Sequence, residues 1–169
     1  MLEVGSGQST LWLAARVGSV LAVEHDERWA RVLASRLPAN AEVRYAPCDG
    51  DLLTAEPDDA YVREATAFGD APLDLYVVDG RARLRCLETV AERSARPGIV
   101  LLDNADWPAM APGIDAMARH GFVRVDFVGP APGGTNFSCT SAFLYEGRLP
   151  APRTSPRSWG TQIADFGVV

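Results

Sequence analysis

Two hydrophobic periods alternate along the chain. Short uninterrupted apolar runs are followed by longer segments with helical spacing. Residues 2–4 form a short apolar run that opens into Gly5-Ser6-Gly7. Residues 9–17 have helical composition, and Gly18 suits the C-terminal end of a helix there. Residues 20–23 are apolar and β-branched and run into Glu24-His25-Asp26. Residues 27–37 set Trp29, Val32, Leu33 and Leu37 on one predicted helical face, and Pro38 stops that helix. A strand over 42–46 leads to Asp49-Gly50, and the acidic stretch 56–69 reads as a loop with a short surface helix. A strand over 73–78 enters Asp79-Gly80. A helix over 83–95 carries Leu84, Leu87, Val90 and Ala91 on one side. Residues 99–102 are the next buried strand and end at Asp103-Asn104. Pro112 can open a further helix, with Ile114, Met117 and Ala118 inward and Gly121 closing it. Residues 122–128 and 140–145 are two strands joined by a Gly- and Pro-rich loop.

Alternation of helices with apolar strands predicts an α/β fold. A mostly parallel sheet would be covered on both faces, as a three-layer sandwich. The last two strands are linked by a loop rather than a helix, which predicts a hairpin and hence one antiparallel strand near the sheet edge. Ligands of such sheets bind outside the carboxyl ends of the strands. Gly5, Ser6, Gly7, Glu24, Asp49, Asp79 and Asp103 all fall at those predicted ends. Residues 1–149 read as one domain, and the Pro/Ser/Arg-rich residues 150–169, which include Trp159, read as a surface extension.

Composition narrows the function classes. The chain has 169 residues, 47% of them apolar and 22% charged, which suits one globular domain. Net charge is −6 and there is no lysine, so the broad basic patch of a nucleic-acid binder is not expected. No apolar run approaches the roughly 20 residues that span a bilayer, and the MLEVGSG start lacks the basic region of a signal peptide. Cys48, Cys86 and Cys139 show no CxxC spacing, which fits small core residues in a reducing cytoplasm. A cytoplasmic protein without membrane or nucleic-acid partners is expected, with room left for a homo-oligomer.

The strongest chemical signal is an ordered set. Gly5-Ser6-Gly7 lies between a strand and a helix, where missing Cβ atoms allow a sharp turn and close ligand approach. Glu24 follows Gly5 by 19 residues, the spacing at which a carboxylate accepts hydrogen bonds from both ribose hydroxyls. Asp49 could read an adenine edge. The dinucleotide fingerprint GxGxxG competes, but Thr10 replaces its third glycine. EVGSG, AVEHD, DLYVVDG and PGIVLLDN resemble the ordered motifs of class I S-adenosylmethionine-dependent methyltransferases over roughly residues 1–146. The resemblance implies a Rossmann-like fold with S-adenosylmethionine as cofactor. It places Glu3, Gly5, Ser6 and Gly7 on the methionine and ribose side, and Glu24 on the ribose hydroxyls. His25 would lie beside the adenine, Asp49 and Gly50 near its edge, and Asp79 near the methionine end and the acceptor.

A hydroxyl acceptor must lose a proton, to a general base or through a metal. Asp79, Asp103 and Asn104 are the candidate catalytic residues. Their placement is similar to that of metal-dependent catechol-type O-methyltransferases, and oxygen ligands suit Mg²⁺. The following Gly80-Arg81-Ala82-Arg83 departs from the polar or basic residue, often lysine, that those enzymes carry just after the first Asp. No metal ligand is therefore assigned, and Mg²⁺ stays the less favoured alternative to an Asp79 that contacts cofactor or a nearby Arg. Arg81, Arg83 and Arg85 could fork an acidic acceptor, although pairing with Asp or solvent is the commoner role.

The expected activity is methylation of a small-molecule acceptor at oxygen or nitrogen. The rivals are an NAD-type oxidoreductase or other nucleotide binder, a non-catalytic methyltransferase remnant, and a related-fold aminopropyltransferase. The chain starts two residues before Glu3, so a short first strand, an incomplete pocket wall and weakened cofactor binding are expected.

Overall fold

Leu2, Glu3 and Val4 are all buried, because they form an interior strand of the sheet (β1, Leu2–Val4). The computed structural model describes residues 1–68, 73–93, 95–130 and 137–145. After β1 come α1 (Gln8–Ala14), β2 (Val20–Glu24), α2 (Glu27–Ala34), β3 (Ala41–Tyr45) and α3 (Ala60–Thr66). Then follow β4 (Leu75–Val78), α4 (Arg83–Glu92), β5 (Ile99–Leu102), a 3₁₀ turn at Pro108–Met110, α5 (Ala111–Arg119), β6 (Phe122–Pro130) and β7 (Phe137–Tyr145). Among the described residues the sheet has seven strands in the order β3-β2-β1-β4-β5-β7-β6. The first five in that order run parallel, and β7 pairs antiparallel with both β5 and β6. The antiparallel strand expected near the edge is therefore β7, one place in from edge strand β6.

Alternation along β4 shows that both faces are covered. Tyr76 and Val78 join a large core with Leu2, Val4, Val62, Leu87, Val100 and Met117. Leu75 and Val77 point the other way, onto a small cluster of Leu13, Ala14 and Val20. The larger core lies under α3, α4 and α5, the smaller under α1. No helix among the described residues is long and apolar enough to cross a membrane.

Several local expectations are corrected. The first helix ends at Ala14, where Asn40 Nδ2 donates to the Ala14 and Val17 carbonyls, and Gly18 does not adopt a left-handed cap. On α2 the buried face is Ala30 and Leu33, whereas Trp29 and Val32 are each 38% exposed. The segment read as a surface helix, α3, buries Tyr61, Val62, Ala65 and Thr66. On α5, Ala118 is exposed and Gly113 and Ala116 take the inner face, while Gly121 closes the helix as expected with φ +84°. The hairpin strands are longer than expected, in register from Phe122↔Tyr145 to Pro130↔Phe137. Residues 131–136 of their connection, and the whole extension 150–169, lie outside the described residues.

The chain runs outward from β1 through β2 to β3, then returns to β4 on the other side of β1. That reversal opens a crevice at the carboxyl ends of β1 and β4. Here the two following loops meet backbone to backbone. A Cβ on Gly5, which has φ +89°, would lie 2.7 Å from Gly80 Cα. A Cβ on Gly80 would collide with the Tyr61 hydroxyl and approach Gly5 N to 2.6 Å. Gly80→Ala is accordingly expected to destabilise the fold by roughly 1–3 kcal/mol or more. Gly18→Ala, where a Cβ meets nothing within 4 Å, should stay near neutral. Urea denaturation of the two variants measures the difference, and equal midpoints would show that the crossing loops yield freely.

Candidate active site

A cleft of about 380 Å³ opens at that reversal, lined by Gly5, Ser6, Glu24, His25, Asp26, Trp29, Asp79 and Gly80. Glu24, the last residue of β2, is 3% exposed. Burying a carboxylate is costly unless donors replace water, and three do so here. Glu24 Oε2 accepts from Ser6 N at 3.1 Å and Ser6 Oγ at 2.7 Å, and Oε1 accepts from Asp26 N at 2.8 Å. A carboxylate offers about four lone-pair positions, so Glu24 retains acceptor capacity toward the cleft.

Neighbouring side chains fix the rest of the rim. Asp26 caps α2 by accepting from Trp29 N, and Trp29 Nε1 donates to Ser6 O at 2.9 Å. Trp29 thus ties α2 to the glycine loop instead of packing in the core. His25 sets its ring edge-on to Tyr61, with centroids 6.1 Å apart. Its buried Nδ1 lies 2.8 Å from Glu24 Oε1 without the alignment of a hydrogen bond.

Glu3 lies beneath the loop, 1% exposed, and does not line the cleft. Its Oε2 accepts from Thr10 Oγ1 at 2.6 Å, and Thr10 Oγ1 in turn accepts from Gly7 N at 3.0 Å. Burial raises the Glu3 carboxyl above its usual range. Hydrogen bonds from Ser9 and Thr10 oppose that rise, and the Asp79 and Glu24 charges reinforce it. Thr10 therefore occupies the third glycine position for a reason: its hydroxyl pins the loop that a glycine would leave free.

Asp49 and Gly50 belong to a second, larger cavity of about 870 Å³, with Arg81, Arg63 and several acidic residues. Arg81 Nη1 donates to Gly50 O at 3.0 Å, and Arg81 N donates to the Tyr61 hydroxyl. Gly80 lines the first cavity and Arg81 the second, so one loop serves both.

The candidate catalytic residues converge on Arg83, whose side chain is 8% exposed. Nη2 donates to Asp79 Oδ1 at 2.9 Å and Asp79 O at 3.3 Å. Nη1 donates to Asn104 Oδ1 at 2.8 Å and Asp103 O at 3.0 Å. Nε donates to Gly80 O at 2.9 Å. Asp103 Oδ1 accepts instead from Thr140 Oγ1 at 3.0 Å. Asp79 faces the cleft, whereas Asp103 and Asn104 are not part of its lining. Burial, reinforced by the Asp103 charge and only partly offset by Arg83, pushes Asp79 up to about 6. The pairing of Asp79 with a nearby Arg, favoured from the sequence, is found in Arg83. Sequence reasoning missed the reach of Arg83 to Asp103 and Asn104, Gly80, the Thr10 bond and the cleft role of Trp29. Of these only Arg83 carried a signal, in its spacing of four from Asp79.

A glycine turn at the reversal of a parallel sheet, with a buried carboxylate closing the neighbouring strand, is a Rossmann-like nucleotide-binding arrangement, and the family match makes it that of a class I S-adenosylmethionine-dependent methyltransferase. The chain belongs to the methyltransferase-domain family, whose sequence profile matches residues 2–105. Among solved structures it is similar to a candidate O-methyltransferase from Klebsiella pneumoniae, at 17% identity and TM-score 0.57 over 85% of this chain and 71% of that one. Precorrin-6y C5,15-methyltransferase from Geobacter metallireducens aligns at 13% identity and TM-score 0.55, over 86% and 78%. The ribosomal protein L11 methylase of Lactobacillus delbrueckii aligns at 17% and 0.51, over 85% and 68%. These likenesses establish the fold. No curated protein matches the chain.

The raised Asp79 carboxyl has a signed consequence. The unfolded chain releases this proton near 3.8 and the folded chain near 6. The group's stabilising contribution is thus complete below about 3.8 and is lost as pH rises through about 6. Carboxyl ¹³C titration of Asp79 should give a midpoint near 6. A midpoint below about 4, the unperturbed value, would mean that the ion pair with Arg83 outweighs burial.

Proposed function

We propose that this enzyme methylates a small-molecule acceptor at oxygen or nitrogen, with residues 1–149 as the catalytic unit. Glu24 is the observation that carries the cofactor assignment. It is a buried carboxylate held by backbone and hydroxyl donors, with acceptor capacity left facing the cleft. That donor-poor, acceptor-rich surface fits a ribose diol. Bound S-adenosylmethionine supplies an electrophilic methyl group on a sulfonium. Gly5 and Gly80 let the backbone approach the cofactor closely, and the Ser6–Trp29 bond holds the loop against it. Asp79 also lines the cleft, where its carboxylate accepts the proton of an acceptor hydroxyl or amine. Asp103 and Asn104 act as positioning residues, through the Arg83 network that orients Asp79. A small acceptor agrees with the chain's charge of −6 and its lack of lysine, which disfavour a polyanionic partner.

Calorimetric titration with S-adenosylhomocysteine tests the reading. One-site binding is expected. Glu24→Gln, which keeps the side-chain shape, should weaken it roughly 10- to 100-fold, the value of one hydrogen bond to a charged group. Unchanged affinity in a folded Glu24→Gln variant, or binding of NADH in place of S-adenosylhomocysteine, would refute the assignment.

A further inference from the structure

We infer that Arg83 is the permanent cation of this site, filling the position among Asp79, Asp103 and Asn104 where the sequence offered oxygen ligands for a divalent metal. The inference rests on the placement of these residues beside the cofactor cleft, but not on the identity of the acceptor. A guanidinium has five N–H donors, and in Arg83 all five are used. They go to Asp79 Oδ1, Asp79 O, Asn104 Oδ1, Asp103 O and Gly80 O, at 2.8 to 3.3 Å. Asp103 Oδ2 lies 3.7 Å from Nη1, near enough to contribute charge without a direct bond. Asp79 Oδ1 and Asn104 Oδ1, two of the oxygens that would ligate Mg²⁺, are thus spent on a planar, always-charged group. Mg²⁺ needs oxygens at about 2.0–2.1 Å in near-octahedral array, which this occupied set does not offer. The donor set therefore does not fit a resident metal ion while Arg83 holds it.

The surrounding backbone is built around the guanidinium. Ala82, just before Arg83, and Asn104, one of its acceptors, are the two non-glycine residues with positive φ among the described residues, at 49° and 53°. Such conformations persist where neighbouring interactions over-determine them. The first turn of α4 is anchored from outside as well: Ala82 N, Arg83 N and Leu84 N donate to the carbonyls of Asp51, Leu52 and Leu53. Trp107 covers the guanidinium, its ring centroid 5.3 Å from Cζ. With no donor left over, Arg83 is not the fork for an acidic acceptor that its position in the sequence suggested. Its work is to neutralise two carboxylates and to fix the direction of Asp79.

Manganese supplies the probe, because its free-ion paramagnetic resonance signal disappears on binding. The full chain should leave the Mn²⁺ signal undiminished into the millimolar range. Arg83→Ala should take up one equivalent, with a dissociation constant on the order of 10⁻⁴–10⁻³ M, and adding Asp103→Asn should abolish that uptake. One-equivalent uptake by the unsubstituted chain, lost in Asp103→Asn, would overturn the inference. So would a folded Arg83→Ala variant that takes up no Mn²⁺. If Arg83→Ala does not fold, the comparison of the unsubstituted chain with Asp103→Asn decides alone. None of these titrations requires cofactor or acceptor, so a failed S-adenosylhomocysteine experiment and a failed manganese experiment refute different statements.

Discussion

The contact between Gly5 and Gly80 is the constraint on which the rest of the site depends. Parallel strands β1 and β4 diverge into opposite crossovers, and the loops that leave them must pass within van der Waals distance. Two facing glycines make this passage possible, and Tyr61 on α3 closes the space behind Gly80. Once the loops cross there, Glu24 and Asp79 come to the same cleft from strands on either side of β1. Sheet topology thus sets where the charged groups are, and the glycines set how closely the two crossing loops can pack.

Three buried or half-buried carboxylates around that crossing are handled in three ways. Glu24 is stabilised by local backbone and hydroxyl donors and keeps capacity for a ligand. Glu3 is sealed under the loop, and the short bond it accepts from Thr10 becomes a strut for Gly7. Asp79 is compensated by a guanidinium that also binds the two residues closing β5. Acidic residues that look equivalent in the sequence therefore differ in the donors that surround them: local backbone and hydroxyl groups at Glu24, Thr10 at Glu3 and a guanidinium at Asp79.

Much of the architecture was legible in the chain. Apolar runs of four or five residues between helical segments marked the parallel strands. The missing helix between the last two strands marked the antiparallel hairpin. The spacing from Gly5 to Glu24 located the cleft. What escaped was decided by packing between distant segments. Trp29 sits at a position with helical core spacing, but its indole N–H finds Ser6 O, 23 residues away. The acidic composition around α3 hid the fact that Tyr61 and Val62 lie under the sheet. For Asp103 and Asn104, nothing local shows that Arg83 reaches them from 20 residues upstream.

The unequal cores give the molecule a gradient of local stability. Buried Leu13, Ala14 and Val20, with the partly buried Met1, Val17, Ala41, Leu75 and Val77 packed against them, hold the α1 face, against the larger core beneath α3, α4 and α5. Segments with little buried apolar surface open at lower free energy than the global transition. The glycine loop, whose Gly5 and Ser6 line the cleft, runs directly into α1 and so into the layer with the smaller core. A ligand that grips Ser6 and Glu24 would add its binding free energy to the closed form of that layer. Cofactor occupancy and the integrity of the thin face are then two readings of one equilibrium, and amide exchange in α1 is where the two would be seen together.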